Sequence, residues 1–337
     1  MIARRTPRWQ RSLAEAVTEP AELCALLGLD DSIRAGAASA AKLFPLRVPR
    51  GFVARMRRND PADPLLRQVL PLDSECAPQS KYLTDPLGES AFRCGDGVLQ
   101  KYRGRALLIA TGACAVHCRY CFRRHFPYAD ENAGAGHWAA ALAHLRRAAD
   151  VREVILSGGD PLSLADRKLA RLAEALAGIG HIQRLRIHTR QPIVLPERVD
   201  ERLAAWLGPL PLRKIVVVHC NHANEIDAAV RAALQRLTAC GATLLNQSVL
   251  LRGVNDSAGA LVDLSEALFA AGVLPYYLHL LDPVQGAAHF DVPEATARTL
   301  LRSAAARLPG YLVPKLAREE PGQPAKTVLP VTNHDWA

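Results

Sequence analysis

Two rhythms of apolar positions divide this 337-residue chain, with the change near residue 105. Beyond it, short β-branched runs alternate with stretches whose apolar residues recur every three and four positions. The runs predict strands over 106–110, 153–156, 184–188, 214–219, 243–249 and 274–280. The stretches predict helices near 136–149, 163–177, 197–207, 223–240, 260–271 and 293–307. Ile215-Val216-Val217-Val218 is apolar without alternation, as in a parallel strand covered on both faces. Six strand–helix units in this order predict an α/β fold, a β/α barrel or partial barrel with its functional residues at the C-terminal ends of the strands. An open doubly wound sheet is the alternative that periodicity leaves standing.

Before residue 105 the pattern is different. Leu13 to Leu29 has helical spacing, Ile33 to Ala41 forms a second short piece, and Pro45 to Pro49 interrupts it. Pro61, Pro64, Pro71, Pro78 and Pro86 predict a mostly extended covering segment. The chain thus reads as a helical and extended N-terminal cover over residues 1–100, a barrel over 101–309 and a C-terminal segment over 310–337.

Composition adds limits. With 49% hydrophobic residues the chain can build a sizeable core, and no apolar run reaches the roughly 18 residues of a membrane span. The N-terminus is basic but lacks the apolar stretch of a secretion signal, so the cytoplasm is the expected location. Lys and Arg number 42 against 33 Asp and Glu, a formal charge of +9 that could steer an acidic partner or an RNA. The basic clusters, Arg4, Arg5, Arg8 and Arg11, then Arg47, Arg50, Arg55, Arg57 and Arg58, lack interleaved aromatic residues. Nucleic-acid binding is therefore not expected.

Of the eight cysteines, Cys114, Cys118 and Cys121 fall within eight residues, directly after the first barrel strand. Cys24, Cys76, Cys94, Cys220 and Cys240 are scattered, and burial as small hydrophobes is their expected role. A chain this long with so few cysteines is not a disulfide scaffold. Three thiolates on one loop suit three irons of a 4Fe–4S cube, leaving the fourth iron open. A mixed zinc site with His117 or His125 is the competing reading.

Cys-x3-Cys-x2-Cys followed by Phe122 resembles the radical S-adenosylmethionine superfamily. Ser157-Gly158-Gly159-Asp160-Pro161, after the next strand, resembles that family's glycine-rich edge against the methionine amino group. Arg186-Ile-His-Thr-Arg190, His219-Cys-Asn-His-Ala-Asn-Glu225, Asn246 to Asp256 and Tyr276 to Asp282 narrow the resemblance to lysine 2,3-aminomutase. The bacterial branch that makes (R)-β-lysine for translation elongation factor P is the nearest match. Its markers are Arg123-Arg-His-Phe-Pro-Tyr128, Gln285 to Phe290 and Gly310 to Glu319.

The resemblance, which covers about residues 80–330, implies a partial (β/α)6 TIM-like barrel of the radical S-adenosylmethionine type with a helical N-terminal extension. It implies an isomerase that moves the 2-amino group of L-lysine to carbon 3 with a 4Fe–4S cluster, S-adenosylmethionine and pyridoxal 5′-phosphate. Cys114, Cys118 and Cys121 would ligate the cluster. Lys326 matches the Schiff-base lysine, although only Gly322 remains of the usual glycine run before it. Lys101, Tyr102 and Arg105 match the phosphate partners, and Arg123 the partner of the substrate carboxylate. Asp282 and Glu319 match the two acids around the distal ammonium, Glu319 standing where lysine-specific enzymes have aspartate. Gly158, Gly159, Asp160, His219 and Gln247 match positions near S-adenosylmethionine. The cysteine group that binds structural zinc in some relatives has no counterpart near Cys240 or beyond it, so no such zinc is expected and a homo-oligomer is left open. Expected partners are L-lysine, an electron donor such as flavodoxin or ferredoxin, and a pathway leading through a lysyl ligase to elongation factor P. The alternatives are an aminomutase for another amino acid, an RNA-modifying radical enzyme, and a non-catalytic cluster protein that docks onto elongation factor P.

Overall fold

The computed structural model describes residues 6–95, 97–128 and 138–331. Arg4, Arg5, the first residues of the helix expected from 136, and positions 332–337 lie outside the described residues. The strands are β1 (Val98–Tyr102), β2 (Arg105–Thr111), β3 (Glu153–Gly158), β4 (Arg184–Thr189), β5 (Arg213–Val218), β6 (Ala242–Val249), β7 (Leu274–His279), β8 (Lys315–Arg318) and β9 (Thr327–Val328). Among the described residues they form one sheet whose spatial order is the chain order. Strands β2 to β8 run parallel, each beside the next, while β1 and β9 lie antiparallel at the two edges. A doubly wound sheet reverses its strand order at a switch point; this one never does. The order is that of a partial barrel, and the open-sheet alternative falls.

The curl is visible in one contact. Lys101 and Tyr102 on β1 both bond to Glu319, the residue after β8, so the two edges of the sheet come together. The structure adds β8, a seventh parallel strand, to the six expected. Lys315-Leu-Ala-Arg318 buries only Leu316 and Ala317 and has no β-branched run to announce it.

Helices Asp166–Ala177, Glu201–Leu207, Ala228–Ala239, Ala258–Ala270 and Glu294–Ala305 follow the expected pattern. Three start where a side chain takes up a free backbone N–H: Asp200 accepts from Leu203, Asp227 from Val230 and Ser257 from Ala260. Leu185 and Ile187 of β4 and Leu244 of β6 pack outward into the main apolar core with these helices. Successive strand residues face opposite ways. Arg186, His188 and Gln247 therefore face the concave side, beside apolar Ile155, Val217 and Leu245 from the paired strands.

The cover has a core of its own. Trp9, Leu23, Phe52, Leu65 and Leu66 pack with Ala115 and Val116, the residues between the first two clustered cysteines. The helix expected over Leu13–Leu29 is two helices, Arg8–Ala14 and Pro20–Leu27, because Val17 instead pairs with Val48 and Pro20 begins a new helix. The Pro61–Pro86 segment, expected to be extended, holds the short helix Pro64–Arg67, started by Asp63 accepting from Leu65 and Leu66 N–H groups. It also holds the turn Asp73–Cys76. Among the scattered cysteines Cys24, Cys220 and Cys240 are buried, but Cys76 and Cys94 are exposed. No helix among the described residues is long and apolar enough to cross a membrane.

Glu75 ties cover to barrel. Its side chain is 0% exposed and receives Arg119 Nε at 2.9 Å and Nη2 at 2.6 Å, with Arg124 Nη2 at 2.8 Å. Breaking such a pair leaves guanidinium groups buried without a counter-charge. Glu75→Ala should lower unfolding free energy by about 3–5 kcal/mol. In urea unfolding followed by circular dichroism, Arg34→Ala, at a solvent-exposed pair with Asp31, should leave the midpoint unchanged.

Candidate active site

The cysteine loop rests on the end of β3 by backbone contact. A Cβ on Gly159 would sit 2.5 Å from the Ala113 carbonyl oxygen, and one on Gly158 would sit 2.5 Å from that of Thr111. Gly158 also has φ +116°, which side-chain-bearing residues rarely adopt. This approach lets Gly159 N–H donate to Thr111 O at 2.7 Å and Asp160 N–H to Ala113 O at 2.8 Å. The cover grips the loop from the other side. His117 N–H donates to Arg47 O and Arg119 N–H to Gln68 O, both at 2.9 Å.

Cys114, Cys118 and Cys121 are partly buried on this loop. Burial pushes the Cys114 thiol up, and Asp160 and the other two cysteines push further. Burial and Cys118 raise Cys121 to about 11. Three thiolates crowded together without a cation are thus unfavourable, which is the electrostatic demand that an iron centre meets. No three His, Cys, Asp or Glu side chains among the described residues converge on a single metal ion. A cube distributes three thiolates over three different irons and needs no such convergence.

At the opposite edge a second charged group gathers. Lys326 ends the connecting segment between β8 and β9, directly before β9, and the antiparallel pairing of those two strands holds it in place. Its Nζ donates to Glu319 Oε2 at 2.7 Å. Glu319 Oε1 accepts from Lys101 Nζ at 3.0 Å and from the Tyr102 hydroxyl. Burial would raise the Glu319 carboxyl, yet the Lys326 charge and the hydrogen bonds hold it at about 2. Arg105 stacks on the Tyr102 ring at 4.5 Å. Asp282 follows β7; burial pushes it up to about 7, with Lys326 pulling down and Glu319 pushing up. The loop carrying Asp282 is pinned by the cover, as Leu83 N–H donates to Pro283 O at 2.8 Å and Gln285 N–H to Leu83 O at 2.9 Å.

Between these groups lies the concave face. Asn246 holds the turn after β5 by accepting from Cys220 N–H at 2.9 Å and donating to Cys220 O at 3.1 Å, which fixes His219. The Nε2 atoms of His188, His219 and Gln247 are buried without a hydrogen-bond partner among the described residues. Burial, reinforced by Arg190, Lys326 and Arg123, lowers His219 to about 4. His188 and His279 are likewise pushed well below the ordinary histidine range by burial and neighbouring positive charge. Unpartnered buried polar atoms facing one space fit a polar ligand there.

Two expected site residues have their side chains engaged inside the protein. Asp160 accepts from Thr189 Oγ1 at 2.7 Å and from the backbone N–H groups of Leu162, Arg190 and Gln191. It ties β3 to the turn after β4. Arg123 gives its Nε and Nη2 to Glu89, both at 2.7 Å, and its Nη1 to Ser157 at 3.0 Å. Nη1 also donates to the Gly158 carbonyl at 3.4 Å, so all three guanidinium nitrogens are engaged.

Glu89, His188, His279 and Arg190 are the site-forming residues that sequence reading passed over. The two histidines and Arg190 lie in the segments that carry the family resemblance, at or just past strand ends, and that placement was a usable signal. Glu89 had none, since its partner is 34 residues away.

The Radical SAM superfamily profile matches residues 108–208. Membership of that superfamily carries iron–sulfur and S-adenosylmethionine chemistry with it. The L-lysine 2,3-aminomutase of Escherichia coli (strain K12) is 51% identical over 323 residues, covering 95% of this chain and 94% of that protein. That of Haemophilus influenzae Rd is 46% identical, covering 97% of each. That of Clostridium subterminale is 33% identical, covering 96% of this chain and 77% of that one. Identity of this size along nearly the whole length, on a partial barrel whose first strand leads into the cysteine loop, places the chain in the L-lysine 2,3-aminomutase family of radical S-adenosylmethionine enzymes.

Proposed function

We propose that this protein isomerises L-lysine to β-lysine, the (R) isomer, as a step toward modification of elongation factor P. The observation that carries the reading is the gathering of Lys326, Glu319 and Asp282 at one end of a concave face whose other end is the cysteine loop. Among the groups whose charge shifts Asp282 are Lys326, Glu319, Lys101 and Glu89, and those acting on His188 include both Lys326 and Arg123. These charges therefore lie close enough to act on one another. In this reading residues 1–100 cover it, 101–309 form the barrel and 310–337 bring in the lysine.

Cys114, Cys118 and Cys121 would hold the cluster, with Gly158, Gly159, His219 and Gln247 around S-adenosylmethionine. Lys326 would carry pyridoxal phosphate, with Arg105, Lys101 and Tyr102 near its phosphate. The cluster with S-adenosylmethionine supplies a carbon radical able to take hydrogen from an unactivated carbon, and pyridoxal phosphate supplies a carbon–nitrogen double bond across which an amino group can move.

The chain's own residues bind and orient. Glu319, ionised at any working pH, holds the Lys326 ammonium at rest. Once the Lys326 nitrogen is engaged elsewhere, Oε2 is free for another ammonium, that of the substrate side chain. Asp282 supplies the second carboxylate, and a desolvated ammonium needs both. Arg123, held by Glu89 at Nε and Nη2 and by Ser157 and Gly158 at Nη1, keeps one Nη2 N–H and its charge for the substrate carboxylate, which would orient the carbon that faces the cluster. The depressed histidines stay neutral, so no imidazolium stands beside the reacting carbon. An electron donor such as flavodoxin or ferredoxin would reduce the cluster.

Anaerobically reconstituted protein with about four irons and one pyridoxal phosphate per chain should release β-lysine from L-lysine and S-adenosylmethionine under reduction. Fully loaded protein that releases none would end the proposal. Borohydride treatment of the loaded protein should fix a pyridoxyl group on the peptide containing Lys326, and Lys326→Ala should abolish that labelling. A pH profile tests Asp282. Only its ionised form attracts the substrate ammonium, and its carboxyl titrates at about 7 in the free protein. On the acid side kcat/KM should therefore rise with pH through about 7. Asp282→Asn should remove that limb and lower kcat/KM by at least about 30-fold, the equivalent of ~2 kcal/mol.

A further inference from the structure

Beneath the cysteine loop lies a buried polar network that the reaction as described does not use. At its centre is the Arg190 guanidinium, on the residue after β4. Nη1 donates to Cys118 Sγ at 2.8 Å and to the Tyr120 hydroxyl oxygen at 2.7 Å. Nη2 donates to Gln68 Oε1 at 2.6 Å and to Glu225 Oε2 at 3.0 Å. Asn221 Nδ2 bridges Gln68 Oε1 at 2.9 Å and the Tyr120 oxygen at 2.6 Å. Gln68 Nε2 in turn donates to Glu225 Oε1 at 3.1 Å. The Arg190 backbone is held as well, its N–H donating to Asp160 at 2.8 Å. The Arg190 and Glu225 side chains are 6% and 0% exposed, so solvent screens neither charge.

The three cysteines differ in what faces them. The Cys121 sulfur lies against the Arg123 backbone N–H, a neutral donor, and feels the Arg123 and Arg124 charges with no side-chain hydrogen bond from either among the described residues. Cys118 meets a full positive charge whose counter-ion, Glu225, sits on the far side of the same guanidinium. An iron–sulfur cluster gains negative charge when reduced, and hydrogen bonds to its sulfurs and the net charge around it set its potential. In an unscreened site a fixed guanidinium on one sulfur stabilises the reduced form, and the carboxylate behind it opposes that effect.

From this geometry we infer that Arg190 is a positioning residue of the cluster, setting its reduction potential through Cys118, with Glu225 trimming the effect in the opposite sense. The inference rests on the proposal that Cys118 is a cluster ligand. It assigns the cover a part in the electron-transfer step, because Gln68 holds both Arg190 and Glu225 in place.

The test is a redox titration of the reconstituted cluster, without substrate, followed by the electron paramagnetic resonance signal of the reduced form. Arg190→Gln should lower the midpoint potential, and Arg190→Lys should recover part of the loss. Glu225→Gln should raise it. Iron content and apo-protein melting temperature are measured in parallel for each variant. Opposite shifts at full iron content support the inference, since loss of a purely structural prop has no reason to change sign between the two. Unmoved potentials in variants that keep their iron, or shifts of the same sign, overturn it. If Arg190→Gln fails to hold iron, Glu225→Gln and Tyr120→Phe decide the matter, with an upward shift expected from the first and a downward one from the second as Cys118 and Arg190 lose a polar neighbour. Wild-type protein with no cluster spectrum would instead remove the underlying proposal.

Discussion

The Glu319 carboxylate joins the two ends of a sheet that never closes. Strand β1 lies at one edge and β8 seven strands away, and no backbone ladder links them. Lys101 and Tyr102 from the first edge and Lys326 from the hairpin at the last all meet on Glu319. This contact makes a curled sheet into a concave site, and it does so with the residues that the family resemblance assigns to cofactor and substrate. On the proposed reading closure and binding would be one interaction, because the carboxylate that joins the edges, held at about 2, already rests on Lys326.

The opposite end of the site is held by different means. There the loop carrying Cys114, Cys118 and Cys121 is pressed between the glycine edge of β3 and the N-terminal cover. The glycine edge supplies close backbone approach, and the cover supplies apolar packing on Ala115 and Val116 together with the carboxylates Glu75 and Glu89 for buried guanidinium pairs. Buried ion pairs contribute little net stability compared with apolar packing of similar shape. Their value here is geometric. Arg119, Arg123, Arg124 and Arg190 each have a carboxylate partner, and each sits on or beside the cysteine loop. The cover acts as the loop's second wall.

Much of this was legible from sequence because it is local. Six strand–helix units showed in the periodicity and the cysteine triplet stood out by its spacing, whereas Lys326 was marked only by the family resemblance. What escaped has a common cause. Strand β8 contributes four residues, two of them charged, and becomes a strand only because β7 offers it an edge. Glu75, Glu89 and Gln68 meet partners 44, 34 and 122 residues away, and nothing near them in sequence marks the pairing. The break between the first two helices was foreshadowed by Pro20, yet the apolar spacing of the surrounding residues ran through it. The unbroken apolar run Ile215–Val218 in β5 suggested a sheet covered on both faces, but β4 and β6 read differently. Their alternation of outward leucine or isoleucine with inward arginine, histidine or glutamine instead marks a sheet with one face in the core and the other in the site.

The concave face itself follows one electrostatic logic. Radical chemistry suffers from stray proton donors and from water, and burying charged groups around such a reaction is unfavourable unless each is matched. This chain pairs its cations off in advance: Arg123 with Glu89, Arg190 with Glu225, Lys326 and Lys101 with Glu319. The histidines that remain, His188, His219 and His279, are kept uncharged by burial and by those same cations. Asp282 is the exception, a carboxyl raised to about 7 by burial and without a hydrogen-bonded counter-ion among the described residues. On the proposed reading, the substrate ammonium would be the charge that matches it.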